Sequence, residues 1–128
     1  MKLLLDTHLL LWAASTPERL SKNARGLLLD PDNRLIFSSA SLWEVSIKRN
    51  LGKADFNVDP RRLWRMLLVN RYLELPVTSE HALVAGDLPM LHKDPFDRML
   101  IAQARIEGLR LLTVDKVVVS YGTPVIKV

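Results

Sequence analysis

The chain contains no cysteine, which excludes a disulfide scaffold, a thiolate zinc site and a cysteine nucleophile, and is compatible with a reducing compartment. Glycine is scarce, five in 128 residues, and none are gathered into a loop that could cradle phosphates. P-loop and dinucleotide-binding classes therefore fall away, and no Gly-x-Ser-x-Gly elbow of a serine hydrolase is present. No uninterrupted apolar run approaches the ~20 residues of a membrane helix. The leucine-rich opening is broken by Asp6 and His8, and a charge inside the apolar segment opposes a secretory signal. A cytoplasmic chain without a membrane partner is the expectation. Repeats, biased tracts and linkers are also missing.

What is present looks globular: 48% hydrophobic and 25% charged residues, a size and composition suited to one domain spanning 1–128. Lysine and arginine number 18 against 14 acids, a formal charge of +4. That mild excess permits an anionic partner such as nucleic acid without specifying one.

Short apolar runs alternate with longer periodic segments. Strands are expected at Lys2–Leu5, Leu35–Ser38, Tyr72–Leu75, Arg110–Thr113 and Pro124–Val128, and helices at Thr7–Ala14, Ser21–Leu29, Ser41–Leu51, Asp59–Asn70, Ser79–Gly86 and Asp94–Glu107. Gly52 stands where a C′ glycine belongs, and Asp59-Pro60 and Asp94-Pro95 each place a capping acid before a proline at the first helical position. Buried strands alternating with helices predict an α/β fold: about five short, mostly parallel strands between helical layers.

Four of the acids share a geometry. Asp6 directly follows the first strand and Asp115 follows the strand Arg110–Val114, while Glu44 and Asp97 fall in the first turns of predicted helices. In an open parallel sheet these positions share the carboxyl edge, where ligands bind. Four carboxylates converging there repel unless a cation lies among them. Oxygen donors without cysteine, and without a His-x-x-x-His pair among His8, His81 and His92, favour Mg²⁺ or Mn²⁺ over a histidine-centred zinc site. Such ions activate water and stabilise charge on a phosphodiester. With these four acids spent on metal, 18 positive charges would face 10 negative ones, and Arg61, Arg62, Arg65, Arg71, Lys48, Arg49 and Lys53 are candidates for contacts to a polyanion backbone.

Each acid also has a structural explanation. Ser41-Leu42-Trp43-Glu44 matches a capping box, Asp97 stands three residues after Asp94, and Asp6 and Asp115 suit N-caps or turns. Trp12, Trp43 and Trp64 sit among apolar helical residues, as core or interface side chains do. Two other functions remain open on the residues alone. One is a non-catalytic RNA- or protein-binding module. The other is a different Mg²⁺-dependent phosphoryl-transfer domain, such as a receiver-like fold, for which Lys116 is the lysine beside the acids.

Leu3-Leu4-Leu5-Asp6-Thr7-His8 and Ser38-Ser39-Ala40-Ser41-Leu42-Trp43-Glu44-Val45 resemble the opening motifs of PIN-domain proteins. His92-Lys93-Asp94-Pro95-Phe96-Asp97-Arg98-Met99-Leu100-Ile101-Ala102-Gln103-Ala104, followed by Leu111-Leu112-Thr113-Val114-Asp115, resembles their third and fourth motifs. The similarity spans essentially the whole chain, with the motifs in family order, and is nearest to the VapC-type toxins of toxin–antitoxin pairs. It implies a PIN-like α/β/α fold and a metal-dependent endoribonuclease with Asp6, Glu44, Asp97 and Asp115 as the acidic site. By the same resemblance Mg²⁺ is the cofactor, with Mn²⁺ able to substitute, RNA the substrate, a VapB-type antitoxin the partner, and a homodimer the common assembly. Asp97 then serves as ligand and Asp94 as helix cap, and Thr7, Ser38 and Ser41 are small polar neighbours that orient ligands or waters.

Overall fold

A computed structural model describes the protein from Met1 to Val128. Five strands form one sheet: β1 (Lys2–Leu5), β2 (Arg34–Ser38), β3 (Leu73–Leu75), β4 (Arg110–Thr113) and β5 (Val125–Lys127), in spatial order β3-β2-β1-β4-β5. All four pairings are parallel, with Leu4 opposite Ile36 of β2 on one side and Leu111 of β4 on the other. The predicted α/β class and strand number hold. The order differs from the 2-1-3-4-5 arrangement of receiver-like folds, which removes the receiver-like form of that alternative.

The central strand shows why the sheet must be covered on both faces. Leu3, Leu4 and Leu5 are all fully buried; alternation sends Leu3 and Leu5 into one core and Leu4 into another. The first core is closed by α1 (Thr7–Ser15), α2 (Lys22–Leu29), α3 (Ser39–Asn50) and α4 (Pro60–Val69). The second is closed by α6 (Pro95–Glu107) and the short α7 (Lys116–Val119), with α5 (Ser79–Asp87) packed on α6. Each fully buried leucine contributes roughly 1.5–3 kcal/mol through removal of apolar surface from water. No helix is long and apolar enough to cross a membrane.

Helix boundaries follow the capping chemistry closely. Asp59 and Asp94 cap α4 and α6 with proline next in line, and Gly108 ends α6 at φ 67°, a left-handed conformation that favours glycine. One boundary departs from expectation. Helix α3 begins at Ser39, capped by the Ser38 hydroxyl on the Ala40 amide, so Ser41 is the third residue of the helix and Glu44 lies in its second turn. The Ser41–Glu44 capping box does not form. Strand β2 runs straight into the helix, and the last strand residue doubles as the cap, leaving the Glu44 carboxylate free for other contacts.

Candidate functional site

The chain leaves β1 and β4 at neighbouring points of the sheet's carboxyl edge, where the strand order reverses direction, and there the acids gather. A pocket of about 340 Å³ is lined by Asp6, Glu44, Asp97 and Asp115, joined by Asp55 and Asp94, with Lys48, His8 and His92 on its walls. All four predicted site residues therefore reach one place. A larger cleft of about 650 Å³ lies among α1, α2 and α4, lined mostly by apolar side chains with only Glu18 and Arg25 charged; it holds no comparable group of chemically active residues.

Asp6 is positioned twice over. One carboxylate oxygen accepts the Leu9 amide at 2.9 Å and caps α1, and the other accepts the hydroxyl of Thr113 at the end of β4. The same Thr113 oxygen accepts the Asp115 amide at 3.0 Å, so this threonine fixes the ends of both acid-bearing segments. Burial pushes the Asp6 carboxyl above the usual aspartate range, against the lowering effect of the Thr113 and Leu9 hydrogen bonds.

Glu44 is buried at 2% exposure. Thr7 Oγ1 lies 2.6 Å from its carboxylate and 2.9 Å from Ser41 Oγ. A hydroxyl has a single proton, so Thr7 donates to the carboxylate and Ser41 donates to Thr7. The two small polar residues thus orient Glu44, as anticipated, whereas the Ser38 hydroxyl is used as the helix cap.

The other carboxylate oxygen of Glu44 accepts from Lys48, one turn along α3; Lys48 also reaches Asp94 at 3.3 Å. Its ammonium lies 4.9 Å from the centre of the Phe56 ring and 5.8 Å from that of Phe96. Burial works against this charge, but the hydrogen bond and charge of Glu44, with Asp94, outweigh it and raise the lysine's pKa. Lys48, grouped by sequence with possible backbone contacts, is instead the one ammonium among six carboxylates. Arg61, Arg62, Arg65 and Arg71 are exposed, as are Arg49 and Lys53, and none of them lines the pocket. Lys116 is exposed and outside it as well.

Asp97 rises from the first turn of α6. Burial pushes its carboxyl up to about 7, with the charges of Asp94, Glu44 and Asp6 adding to the effect and His92 opposing it. Such a shift marks a carboxylate that is costly to ionise until a cation arrives. Asp94 acts as the expected cap, accepting the amides of Phe96 at 2.8 Å and Asp97 at 3.3 Å. Asp115 also caps, holding the Val117 and Val118 amides of α7 with one oxygen while the other points toward His92 at 3.6 Å. For both Asp6 and Asp115, one carboxylate oxygen caps a helix while the other makes a separate contact, to Thr113 and toward His92 respectively.

His92 was not legible as a ligand candidate, because no local spacing marks it. Its Nε2 lies 2.8 Å from Asp97, and His92, Asp97 and Asp115 each bring one potential ligand atom within 4.8 Å of the others; Asp6 and Glu44 fall outside this tighter group. The tryptophans are only partly core: Trp43 is 64% exposed and meets Phe96 edge-on at 5.6 Å, and the exposed Trp64 donates its indole N–H to Glu74.

A parallel α/β sheet with an acid-lined crevice at its carboxyl edge defines a class of site able to hold a cation. The chain belongs to the PIN-domain family, whose model matches residues 3–122. It is 29% identical over 122 residues to Ribonuclease VapC22 of Mycobacterium tuberculosis, spanning 94% of this chain and 92% of that protein. Its fold is similar to VapBC2 from Rickettsia felis bound to a DNA fragment from its promoter (TM-score 0.69, 17% identity, covering 100% of this chain and 98% of that one). It is also similar to VapBC-1 from nontypeable Haemophilus influenzae (TM-score 0.64, 20% identity, 100% and 97%). At these identities the two structures show the shared fold.

Proposed function

We propose that this chain is a divalent-metal-dependent endoribonuclease that hydrolyses RNA phosphodiester bonds, and that it is the toxin of a toxin–antitoxin pair. The observation that carries the reading is the convergence of Asp6, Glu44, Asp97 and Asp115 in one pocket, with Asp97 pushed up to about 7 by burial and its acidic neighbours. Similarity to a protein named a ribonuclease supports RNA as the substrate, and structural likeness to VapBC assemblies supports a VapB-type antitoxin as the partner.

The residues present fit a hard divalent cation. The donors are carboxylate oxygens with two imidazoles, His8 and His92, and a single ammonium faces six carboxylates, an excess of negative charge that a cation relieves. Asp6, Glu44, Asp97 and Asp115 would hold Mg²⁺, with Mn²⁺ able to substitute. Bound there, the ion supplies charge stabilisation for the phosphodiester and lowers the pKa of water.

The remaining work falls to the chain. Thr113 and the Leu9 amide hold Asp6 in one orientation, and Thr7, backed by Ser41, does the same for Glu44. Lys48 offers a compact positive charge at the pocket wall, available to a phosphate oxygen when the polyanion enters. The exposed arginines of α4 add attraction for the RNA backbone.

Incubating the purified chain with RNA, with and without Mg²⁺ or Mn²⁺ and with EDTA, tests the reading. Internal cleavage that requires the ion supports it. RNA that binds but stays intact in saturating Mg²⁺ and Mn²⁺ points to the non-catalytic binding module instead.

A further inference from the structure

We propose that His92 is a protein ligand of the divalent ion, through Nε2, and that this nitrogen biases the site toward Mn²⁺ over Mg²⁺. The inference rests on the metal-dependent reading above and goes beyond it, because the acidic quartet alone predicts an all-oxygen site.

Nε2 of His92 lies 2.8 Å from Asp97 Oδ2 and 3.6 Å from Asp115 Oδ2, and the three ligand atoms fit within 4.8 Å of one another. An octahedral ion with bonds of ~2.1 Å places adjacent donors about 3 Å apart; Nε2 and the Asp97 oxygen are already at such a spacing, and the Asp115 oxygen, 3.6 Å from Nε2, joins them with a small movement. A single ring N–H cannot serve both carboxylates equally, and Asp115 has already committed its other oxygen to capping α7. A cation shared by all three satisfies the nitrogen and both oxygens together.

The main chain that carries the ring is also held in place. The His92 amide donates to Tyr121 Oη at 2.9 Å, and its carbonyl accepts from the buried Arg98 guanidinium at 3.4 Å. Arg98 in turn grips the Pro89 and Leu88 carbonyls at 3.0 Å each. The loop before α6 is thereby fastened to the second core with the imidazole aimed at the acids.

The chemistry then sets the preference. Mg²⁺ demands oxygen donors, keeps several waters and gains little from an imidazole; Mn²⁺ also favours oxygen, but as a first-row transition ion it gains more than Mg²⁺ from one imidazole among carboxylates.

Pulsed electron paramagnetic resonance of Mn²⁺ bound to the full chain reads the ligand nitrogen directly, without RNA and without turnover. The wild-type protein is expected to show strong ¹⁴N coupling from a coordinated imidazole. His92→Gln is expected to abolish that coupling, to weaken Mn²⁺ binding about tenfold or more, and to change Mg²⁺ binding less than about threefold. Glutamine keeps a donor for Asp97, so a role confined to orienting that carboxylate would survive the change. His8→Gln is the companion, since His8 lines the same pocket; it is expected to leave the coupling in place. Bound Mn²⁺ without imidazole coupling in the wild type overturns the proposal. So does coupling that survives His92→Gln and vanishes in His8→Gln, or no binding of Mn²⁺ at millimolar concentration. Imidazole coupling in a chain that leaves RNA intact upholds His92 and counts against the ribonuclease alone.

Discussion

Glu44→Gln separates a residue that holds the helix from one that holds the chemistry, because the structure shows what glutamine keeps and what it loses. The amide oxygen can still accept the Thr7 proton at 2.6 Å. The amide NH₂ then faces Lys48, and two donors meet where a carboxylate had accepted. A lost charge-assisted hydrogen bond costs roughly 1.5–3 kcal/mol. Two effects offset it. Lys48 keeps Asp94, and removing the Glu44 charge relieves Asp6 and Asp97, both of whose carboxyl groups that charge pushes upward. The net change in apo stability is expected to be small, about 1 kcal/mol or less, of either sign. Helix capping is untouched, since Ser38 performs it. Metal-dependent cleavage, by contrast, is expected to fall ~100-fold or more, on the order of 3 kcal/mol in barrier. Thermal melts of the metal-free proteins, with initial rates on a fluorogenic RNA at saturating Mg²⁺, supply both numbers. A folded Glu44→Gln chain cleaving at the wild-type rate would remove Glu44 from the site.

Stability should depend on pH with a definite sign. Asp97 binds its proton more tightly folded, to about 7, than unfolded, near 3.9. Its contribution to stability is therefore full at low pH and is lost as pH rises from about 4 to 7, on the order of a few kcal/mol. Metal-free melting temperatures should fall across that window relative to Asp97→Asn; parallel profiles would refute the assignment. Divalent ion competes with the same proton, so Mn²⁺ should raise the melting temperature more at pH 8 than at pH 5, with ~2.7 kcal/mol gained at a hundredfold excess over its dissociation constant. If a VapB-type antitoxin is the partner, as proposed, adding it should suppress cleavage and protect residues 8–14 and 41–51 from hydrogen exchange, and an arginine on it would offer the acids a cation in place of metal. Protection confined to the opposite, strand N-terminal edge would contradict this.

The sheet was legible because Leu3–Leu5 and Leu111–Leu112 are short buried runs bounded by acids and turns, and buried strands need no polar alternation. The α6 start was legible too, since Asp94-Pro95 fixes both cap and first residue. Helix α3 was harder, because Ser38, Ser39 and Ser41 all offer hydroxyls, and the tertiary run of β2 into the helix selected the first. Helix α7 was missed: four residues including three valines carry no helical period, and only the Asp115 cap and packing against the second core produce the turn. Within the pocket, Lys48 had a usable signal in its four-residue spacing from Glu44. His92 opens the third motif, but its spacing from Asp97 is no ligand signature, and what turns it toward the acids is a loop tied down by nearby Arg98 and by Tyr121, 29 residues away.

The central claim is that the acids at the carboxyl edge are a hydrolytic metal centre, and single-turnover cleavage of RNA by wild type and Asp97→Asn across a Mn²⁺ titration tests it most directly. Wild-type cleavage is expected to be absent in EDTA and to recover saturably with Mn²⁺, with a rate for Asp97→Asn at least ~100-fold lower at saturation. A folded Asp97→Asn chain that matches the wild-type rate, or wild-type cleavage that persists undiminished in EDTA, would contradict the claim.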